Sequence, residues 1–345
     1  MIGINPYICS MYKIIQVLLV ISILSSSCSN DLNLNADWRP IPVVYGFLDI
    51  QASNQYIRVQ KVFLDPNTNA LLTAQNIDSL FFEGISVLLT RVSNGKSWSF
   101  TRVDGNLEGF QKPTGVFANA PNWVYKLPSV GVELKENESY KLSIVEEITG
   151  KVVAESTTKM VGSYTFIQSE PSNPFPIPYL NKIRVSWKSS EKVARLYSVS
   201  MLINYSENSL AKPNVFTAKT LEWKFDDKIT RPQDLDSRVS GFFKGDDFFK
   251  FLGATIPAAN GIKRSLTTVG FKVYAGGEEF VDYFALLDAS SGITSSQIVP
   301  NYSNIKNGVG IFSSRSLLQQ GDFSLNTSTR DSLSEGIYTS KLGFQ

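Results

Sequence analysis

Across 345 residues the sequence contains no histidine. That absence removes serine and cysteine nucleophiles that depend on an imidazole base, and it removes histidine-ligated zinc and iron. Cysteine is almost as scarce. The two present, Cys9 and Cys28, both lie near the start, so the body of the chain has no thiol for a disulfide or a metal site. Excess charge is missing too. With 33 basic and 31 acidic residues the net charge is +2, which is not the basic footprint of a nucleic-acid binder. Any chemistry falls to carboxylates, lysine and tyrosine.

What is present is an ordinary globular balance, 43% hydrophobic and 19% charged, with enough apolar mass for a sizeable core. The length suits two domains of about 100–200 residues each.

The first segment reads as an export signal. Met11-Tyr12-Lys13 precedes an apolar run, Ile14 to Leu24, interrupted by Gln16 and Ser22. A short basic start, an apolar stretch and small residues before a cut are the marks of such a signal. The run is too short to span a bilayer, which needs about 20 residues. Leu24-Ser25-Ser26-Ser27-Cys28 resembles the lipobox of bacterial lipoproteins, with the leucine four residues before the cysteine instead of three. We therefore expect residues 1–27 to be a signal peptide with Met11 as its natural start, and Cys28 to carry the lipid. Loss of Lys13 with the signal leaves a charge of +1. Acyl chains hold a domain to a membrane at about 0.8 kcal/mol per buried methylene. Asn30-Asp31 resembles the acidic surface-export signal of Bacteroidota lipoproteins. The expected location is the outer membrane, lipid-anchored and facing the cell surface, with residues 28–38 as lipidated cysteine and tether.

Beyond the tether the pattern is that of strands. "PVVYGFLD" and "YIRVQKVFL" come first. "ISVLLTRV" and "KSWSFTRV" follow, joined by Ser93-Asn94-Gly95, a strong hairpin signal because both Asn and Gly tolerate positive φ. "SYKLSIVEE" and "GKVVAESTT" form another pair. Several short strands with turn punctuation predict an immunoglobulin-like β-sandwich over residues 39–167, with a partly helical insertion between Asn69 and Phe82. "SEPSNPFPIP" concentrates four prolines and reads as a stiff linker over 168–180. Residues 181–345 then read as a β-rich C-terminal domain with short helical insertions. Ile183, Val185 and Trp187 alternate, as do Tyr197, Val199, Met201, Ile203 and Tyr205, and Leu221, Trp223 and Phe225. "GDDFFKFLG" predicts a helix ending at Gly253, and "EEFVDYFALLDASSG" predicts a second.

Each chemistry-bearing motif has a plain structural reading. Gly276-Gly277-Glu278-Glu279-Phe280 spells the diguanylate cyclase signature, yet a strand, a Gly-Gly turn and a helix start account for it, and the upstream metal-binding run is not recognisable. "SNGKSW" carries the tail of a P-loop, but inside a hairpin. The pairs Asp226-Asp227, Asp246-Asp247 and Glu278-Glu279 could supply the two carboxylates of a glycoside hydrolase only if two of them converged in a cleft. Trp98, Trp123, Trp187 and Trp223 read as core before they read as sugar-stacking surfaces. Asp78-Ser79-Leu80 and Asp331-Ser332-Leu333 match the short acceptor pattern for O-glycosylation of exported Bacteroidota proteins, which makes Ser79 and Ser332 possible modification sites. We expect no catalytic residues, no cofactor and no metal ligands.

"PVVYGFLD" followed by "QYIRVQKVFL", with "VPNYSNIKNGVGIFSSRS" near the C-terminus, resembles a family of Bacteroidota outer-membrane lipoproteins, the domain of unknown function DUF4249. The resemblance covers nearly the whole mature chain. Its motifs are structural: Asn304, Gly308 and Gly310 mark turns around a strand. It implies an accessory or ligand-capturing role beside an outer-membrane TonB-dependent transporter, and the partner we expect is a barrel of that kind or a barrel-assembly machine. The expected function is thus a non-catalytic accessory or interaction subunit. The alternative is a glycan- or peptide-binding lipoprotein for nutrient capture, and a carboxylate-based glycoside hydrolase comes third.

Overall fold

Period-two alternation fixes most of the molecule. A computed structural model of the protein describes residues 40–62, 69–167, 171–189, 193–231, 238–290 and 302–345. The expected signal, Cys28 and the tether lie outside these residues. The strands in chain order are β1 (Ile41–Asp49), β2 (Asn54–Val62), β3 (Ile85–Arg91), β4 (Ser97–Ser99), β5 (Thr101–Asp104), β6 (Trp123–Pro128), β7 (Ser139–Glu146), β8 (Val152–Lys159), β9 (Tyr164–Phe166), β10 (Lys182–Ser189), β11 (Leu196–Ser209), β12 (Lys212–Thr230), β13 (Arg238–Lys244), β14 (Ile262–Gly276) and β15 (Val309–Phe323). The protein is mainly β, as its alternation predicts. Ile183, Val185 and Trp187 of β10, and every second residue from Tyr197 to Tyr205 of β11, are buried.

Three sheets result. The largest has the order β12-β11-β14-β15-β1-β2-β6-β5, and smaller ones have the orders β4-β3-β7-β8 and β13-β10-β9. Val44, Leu48, Ile57 and Val59 of the large sheet share a core with Val87, Leu89, Leu142 and Ile144 of the four-stranded sheet, so the N-terminal half is a two-layer sandwich. A second core joins Ile183 and Val185 to Met201, Ile203 and Phe271.

The large sheet crosses the expected domain boundary. Residues Val43 to Asp49 of β1 pair in parallel with Val309 to Arg315 of β15. The rest of β15 pairs antiparallel with β14, from Gly276↔Arg315 to Val269↔Phe323. Pro40–Gln345 accordingly forms one compact unit, and its described residues hold three buried apolar clusters, the third around Trp187, Tyr197 and Val273. At the seam Gly310 has φ +119°, and a Cβ there would lie 2.0 Å from the Val44 carbonyl oxygen. Only glycine fits so close an approach. Asn304 completes the edge with its side chain: Nδ2 donates to Phe312 O at 2.7 Å and Oδ1 accepts from Phe312 N at 2.9 Å.

Two further expectations need correction. The described part of the proline-rich stretch, expected as a stiff linker between domains, is packed into the fold instead. Phe175 and Ile177 are buried in the second core, Phe175 N donates to Ser324 O, and Ile177 N donates to Thr329 Oγ1. The Pro-X-Pro spacing turns both apolar residues to one side while Pro174, Pro176 and Pro178 face water. "KSWSFTRV" is likewise two strands. β4 pairs with β3, β5 pairs with β6 in the other sheet, and buried Phe100 forms the corner between them.

The helices are short: α1 (Ala70–Gln75), α2 (Ile77–Leu80), α3 (Gly245–Thr255), α4 (Glu278–Ser290) and α5 (Thr327–Glu335). Asn69, Asn76 and Asn326 cap α1, α2 and α5 through their side-chain oxygens. The α3 helix runs past Gly253 to Thr255, because Gly253 packs against the Tyr338 carbonyl and has no turn to make. Among the described residues no helix is long and apolar enough to cross a membrane.

Candidate functional site: an aromatic and cationic cleft

Between β5 and β6 the chain makes a long loop, residues 105–122, rich in Gly, Pro and Asn. Long loops in compact domains need their own bracing, and here three polar side chains supply it. Asp104 Oδ1 accepts from Asn106 N at 3.0 Å and Asn122 N at 2.9 Å. Asn106 Nδ2 donates to Asn119 O at 2.8 Å, and its Oδ1 accepts from Lys112 N at 2.9 Å. Asn122, 1% exposed, donates to Phe110 O at 2.7 Å. The far side of the loop is tied to α1 by Ala118 N to Ala74 O at 2.8 Å.

The braced loop stands over the outer face of β1 and β2 and leaves a cleft of about 710 Å³, within the range of ligand sites. Tyr45, Phe110 and Phe117 line it and are 44–49% exposed. Leu71, Leu72 and Val116, on α1 and the loop, are exposed as well.

The polar part of the lining is one-sided. Arg58, Lys61 and Lys112 contribute cations, and among the described residues no carboxylate lines the cleft. Arg58 Nη1 donates to Asn122 Oδ1 at 2.6 Å. Lys112 Nζ donates to Ala118 O at 2.8 Å and lies 5.6 Å from the centre of the Phe117 ring. Burial holds the Arg58 guanidinium below its usual range. Burial lowers Lys112 as well, and the Arg58 charge adds to the effect. Nearby acids have firm partners outside the cleft: Glu108 with Lys126 at 2.7 Å and Tyr56 at 2.8 Å, and Glu83 with Arg102 at 2.8 Å, the Lys61 charge also favouring ionised Glu83.

A smaller cavity of about 340 Å³ lies beside α4, lined by Tyr274, Phe280, Phe284, Lys228 and Arg315 among others. Its cations are paired, Lys228 with Asp288 at 2.7 Å and Arg315 with Asp49 at 3.3 Å.

The residues singled out from the sequence fall outside the large cleft. Trp187 is fully buried, and Trp223 packs against the second core. Trp98 packs on the first core, and Trp123 lies under the Arg102 guanidinium at 4.5 Å. Asp226 accepts from Phe242 N at 2.9 Å, while Asp246 and Asp247 both reach Lys250, at 2.6 and 3.6 Å. The Gly-Gly-Glu-Glu-Phe stretch is a strand-to-helix corner: β14 ends at Gly276 and α4 starts at Glu278. There Glu279 accepts from Ser313 Oγ at 2.8 Å and Thr158 Oγ1 at 2.9 Å. Burial pushes its carboxyl up, against those two bonds, which favour the ionised form. Burial and the carboxylates of Asp282, Glu279 and Glu278 push the Tyr302 phenol up to about 12. Ser79 is half-buried within α2, and half-buried Ser332 donates to Ser328 O at 2.9 Å. Among the described residues no three acids gather to hold a metal. Sequence reading missed Tyr45, Arg58, Lys61, Phe110, Lys112 and Phe117. Two phenylalanines inside a Gly/Pro/Asn-rich loop were the available signal, since such a loop has no core of its own to bury them.

The family described as Domain of unknown function (DUF4249) matches residues 31–320. The chain belongs to this family. A comparison with curated proteins finds no match. Among solved structures, "Crystal structure of CBD12 from CALX1.2" is similar at 8% identity, covering 81% of this chain and 100% of that one, with a TM-score of 0.16. The calcium binding domain CBD12 of CALX1.1 is similar at 8% identity, covering 79% and 98%, with a TM-score of 0.12. Scores this low support no inference about this DUF4249 chain.

Proposed function

We propose that this DUF4249 protein is a non-catalytic lipoprotein, anchored through Cys28 to the outer membrane and facing the cell surface, that captures an organic ligand in the cleft between β1, β2 and the 105–122 loop. The observation that carries this reading is the cleft itself: exposed aromatic walls beside cations, with no acid among the described lining residues. An exposed aromatic surface in a concave site favours binding, and a loop braced by Asp104, Asn106 and Asn122 keeps the site formed without a ligand. The test is equilibrium binding of peptide and glycan panels to the full chain and to a Phe110→Ala/Phe117→Ala variant. Binding that the double variant weakens supports capture; binding that it leaves unchanged overturns the assignment of this cleft.

A second reading, an accessory subunit of an outer-membrane barrel, draws support from β12. This strand is at the edge of the large sheet, and Lys212 to Thr220 are all exposed, so its outer half offers backbone groups to a partner strand. Affinity purification of the tagged protein from its own membranes tests it. A barrel protein recovered in stoichiometric amount supports the accessory role, and a lipoprotein recovered alone overturns a stable complex.

A further inference from the structure

Resting on the capture reading, we propose that the ligand is a carboxylate-bearing peptide with apolar side chains, its carboxylate seated between Arg58 and Lys112 and its apolar part against Phe110 and Phe117. Three observations lead there. First, no described lining residue is an acid that could pair with Arg58 and Lys112. Both line one cleft with Lys61, and the Arg58 charge adds to the burial that disfavours the charged form of Lys112. Two half-buried cations that repel each other cost stability unless an anion joins them. Second, both are held in place. Asn122 fixes the Arg58 guanidinium at 2.6 Å, and the Ala118 carbonyl fixes the Lys112 ammonium at 2.8 Å. A guanidinium so oriented can present its remaining N–H groups as a fork to a carboxylate.

Third, the rest of the lining is poor in groups that recognise sugar. Its neutral polar side chains are Gln60, Gln111, Asn122 and the Tyr45 hydroxyl, and Asn122 is already engaged on both its oxygen and its nitrogen. Sugar rings carry many hydroxyls, each of which needs a partner once desolvated. Phenylalanine walls and Pro113 suit aliphatic or aromatic side chains instead. The chemistry is therefore that of an apolar peptide ending in, or carrying, a carboxylate.

The experiment uses the full chain and four probes: acetyl-Leu-Phe with a free C-terminal carboxylate, the same peptide as its C-terminal amide, an oligogalacturonate, and neutral cellotetraose. Isothermal titration is run at low and high salt on the unaltered protein and on Arg58→Gln, Lys112→Gln and Phe110→Ala/Phe117→Ala, each checked for an unchanged melting profile. The expected result is that the peptide acid binds at least about tenfold more tightly than its amide, as one charge-assisted contact allows. That difference should shrink with salt and disappear in Arg58→Gln and Lys112→Gln, while the phenylalanine double variant weakens both peptides. Equal binding of acid and amide, insensitive to the charge variants, overturns the anion assignment and leaves capture standing. Binding of the oligogalacturonate but not the peptide acid overturns the peptide class. If no probe binds at all, the carboxylate-peptide proposal fails, and the broader panels decide separately whether the cleft captures anything.

Discussion

Arg58 on β2 and Asn122 at the end of the 105–122 loop are joined at 2.6 Å between Nη1 and Oδ1. The same amide also donates to Phe110 O at 2.7 Å, so one buried side chain couples a cation of the main sheet to the aromatic rim above it. An asparagine with both ends engaged acts as a rivet. Its removal leaves a half-buried guanidinium and a carbonyl without their partners.

Asn122→Ala should therefore destabilise the protein by roughly 1–3 kcal/mol, read as a fall in the urea midpoint at unchanged slope. Hydrogen exchange should rise first in residues 105–122. A variant that loses stability with no change in loop exchange would show that the bracing lies elsewhere.

Two glycines with positive φ should respond differently to alanine. Gly310 faces the Val44 carbonyl, and a Cβ would meet it at 2.0 Å, whereas Gly95 in the β3–β4 turn has nothing within 4 Å. Gly95→Ala should cost about 1 kcal/mol of backbone strain. Gly310→Ala should cost about 3 kcal/mol or more, because the β1–β15 seam must open. Thermal melts of the two variants side by side give the comparison.

The carboxyl of Glu279 is raised by burial, and that fixes the sign of its pH dependence. Between the unfolded value, about 4.3, and the higher folded value the native state holds more proton than the unfolded chain. Stability then falls as pH rises through that window and levels off above it. Glu279→Gln removes this slope while keeping an acceptor for one hydroxyl, and the other hydroxyl can turn to accept from the amide. The variant should gain on the unaltered protein as pH rises from about 4 toward neutral. Glu279→Ala, which strands Ser313 and Thr158, should lose roughly 1–3 kcal/mol instead. Chemical denaturation across pH 4 to 8 separates the two outcomes.

Arg264 provides a test of charge burial. Its side chain is 1% exposed and pairs through Nε with Glu207, 21% exposed, at 2.8 Å; it also donates to Leu342 O. Removing the acid strands the buried cation, so Glu207→Ala should cost about 3–5 kcal/mol. Arg264→Met replaces the cation with an apolar chain of similar length and leaves an acid that can rehydrate. It should be the milder of the two. The reverse order in denaturant titrations would mean that the bond to Leu342 outweighs the ion pair.

The strands were legible because burial on one face writes itself into every second residue, as in β11 from Tyr197 to Tyr205. The glycines of the late motif were legible as turns, but not the contact that demands one of them. Gly310 meets Val44 across 266 positions of chain, as the register pairs them, and no local pattern encodes a partner so distant. Phe175 and Ile177 were hidden by their prolines, which forbid regular structure without forbidding burial. The cleft was least legible of all. Tyr45 and Arg58 belong to strands whose other face forms the core, so each looks like an ordinary outward residue until a loop from elsewhere covers it.

The parallel pairing of β1 with β15 joins the two ends of the described chain. Val43, almost the first described residue, finds its neighbour Val309 only after some nine-tenths of the chain has been made. Non-local pairing of this kind slows folding and keeps early strands exposed while they wait. A partly synthesised chain has the strands for the β3–β4 hairpin and the layer built on β3, β7 and β8, yet it lacks β15, which joins β14 to β1 in the large sheet. The large sheet is thus continuous only once β15 stands between β14 and β1.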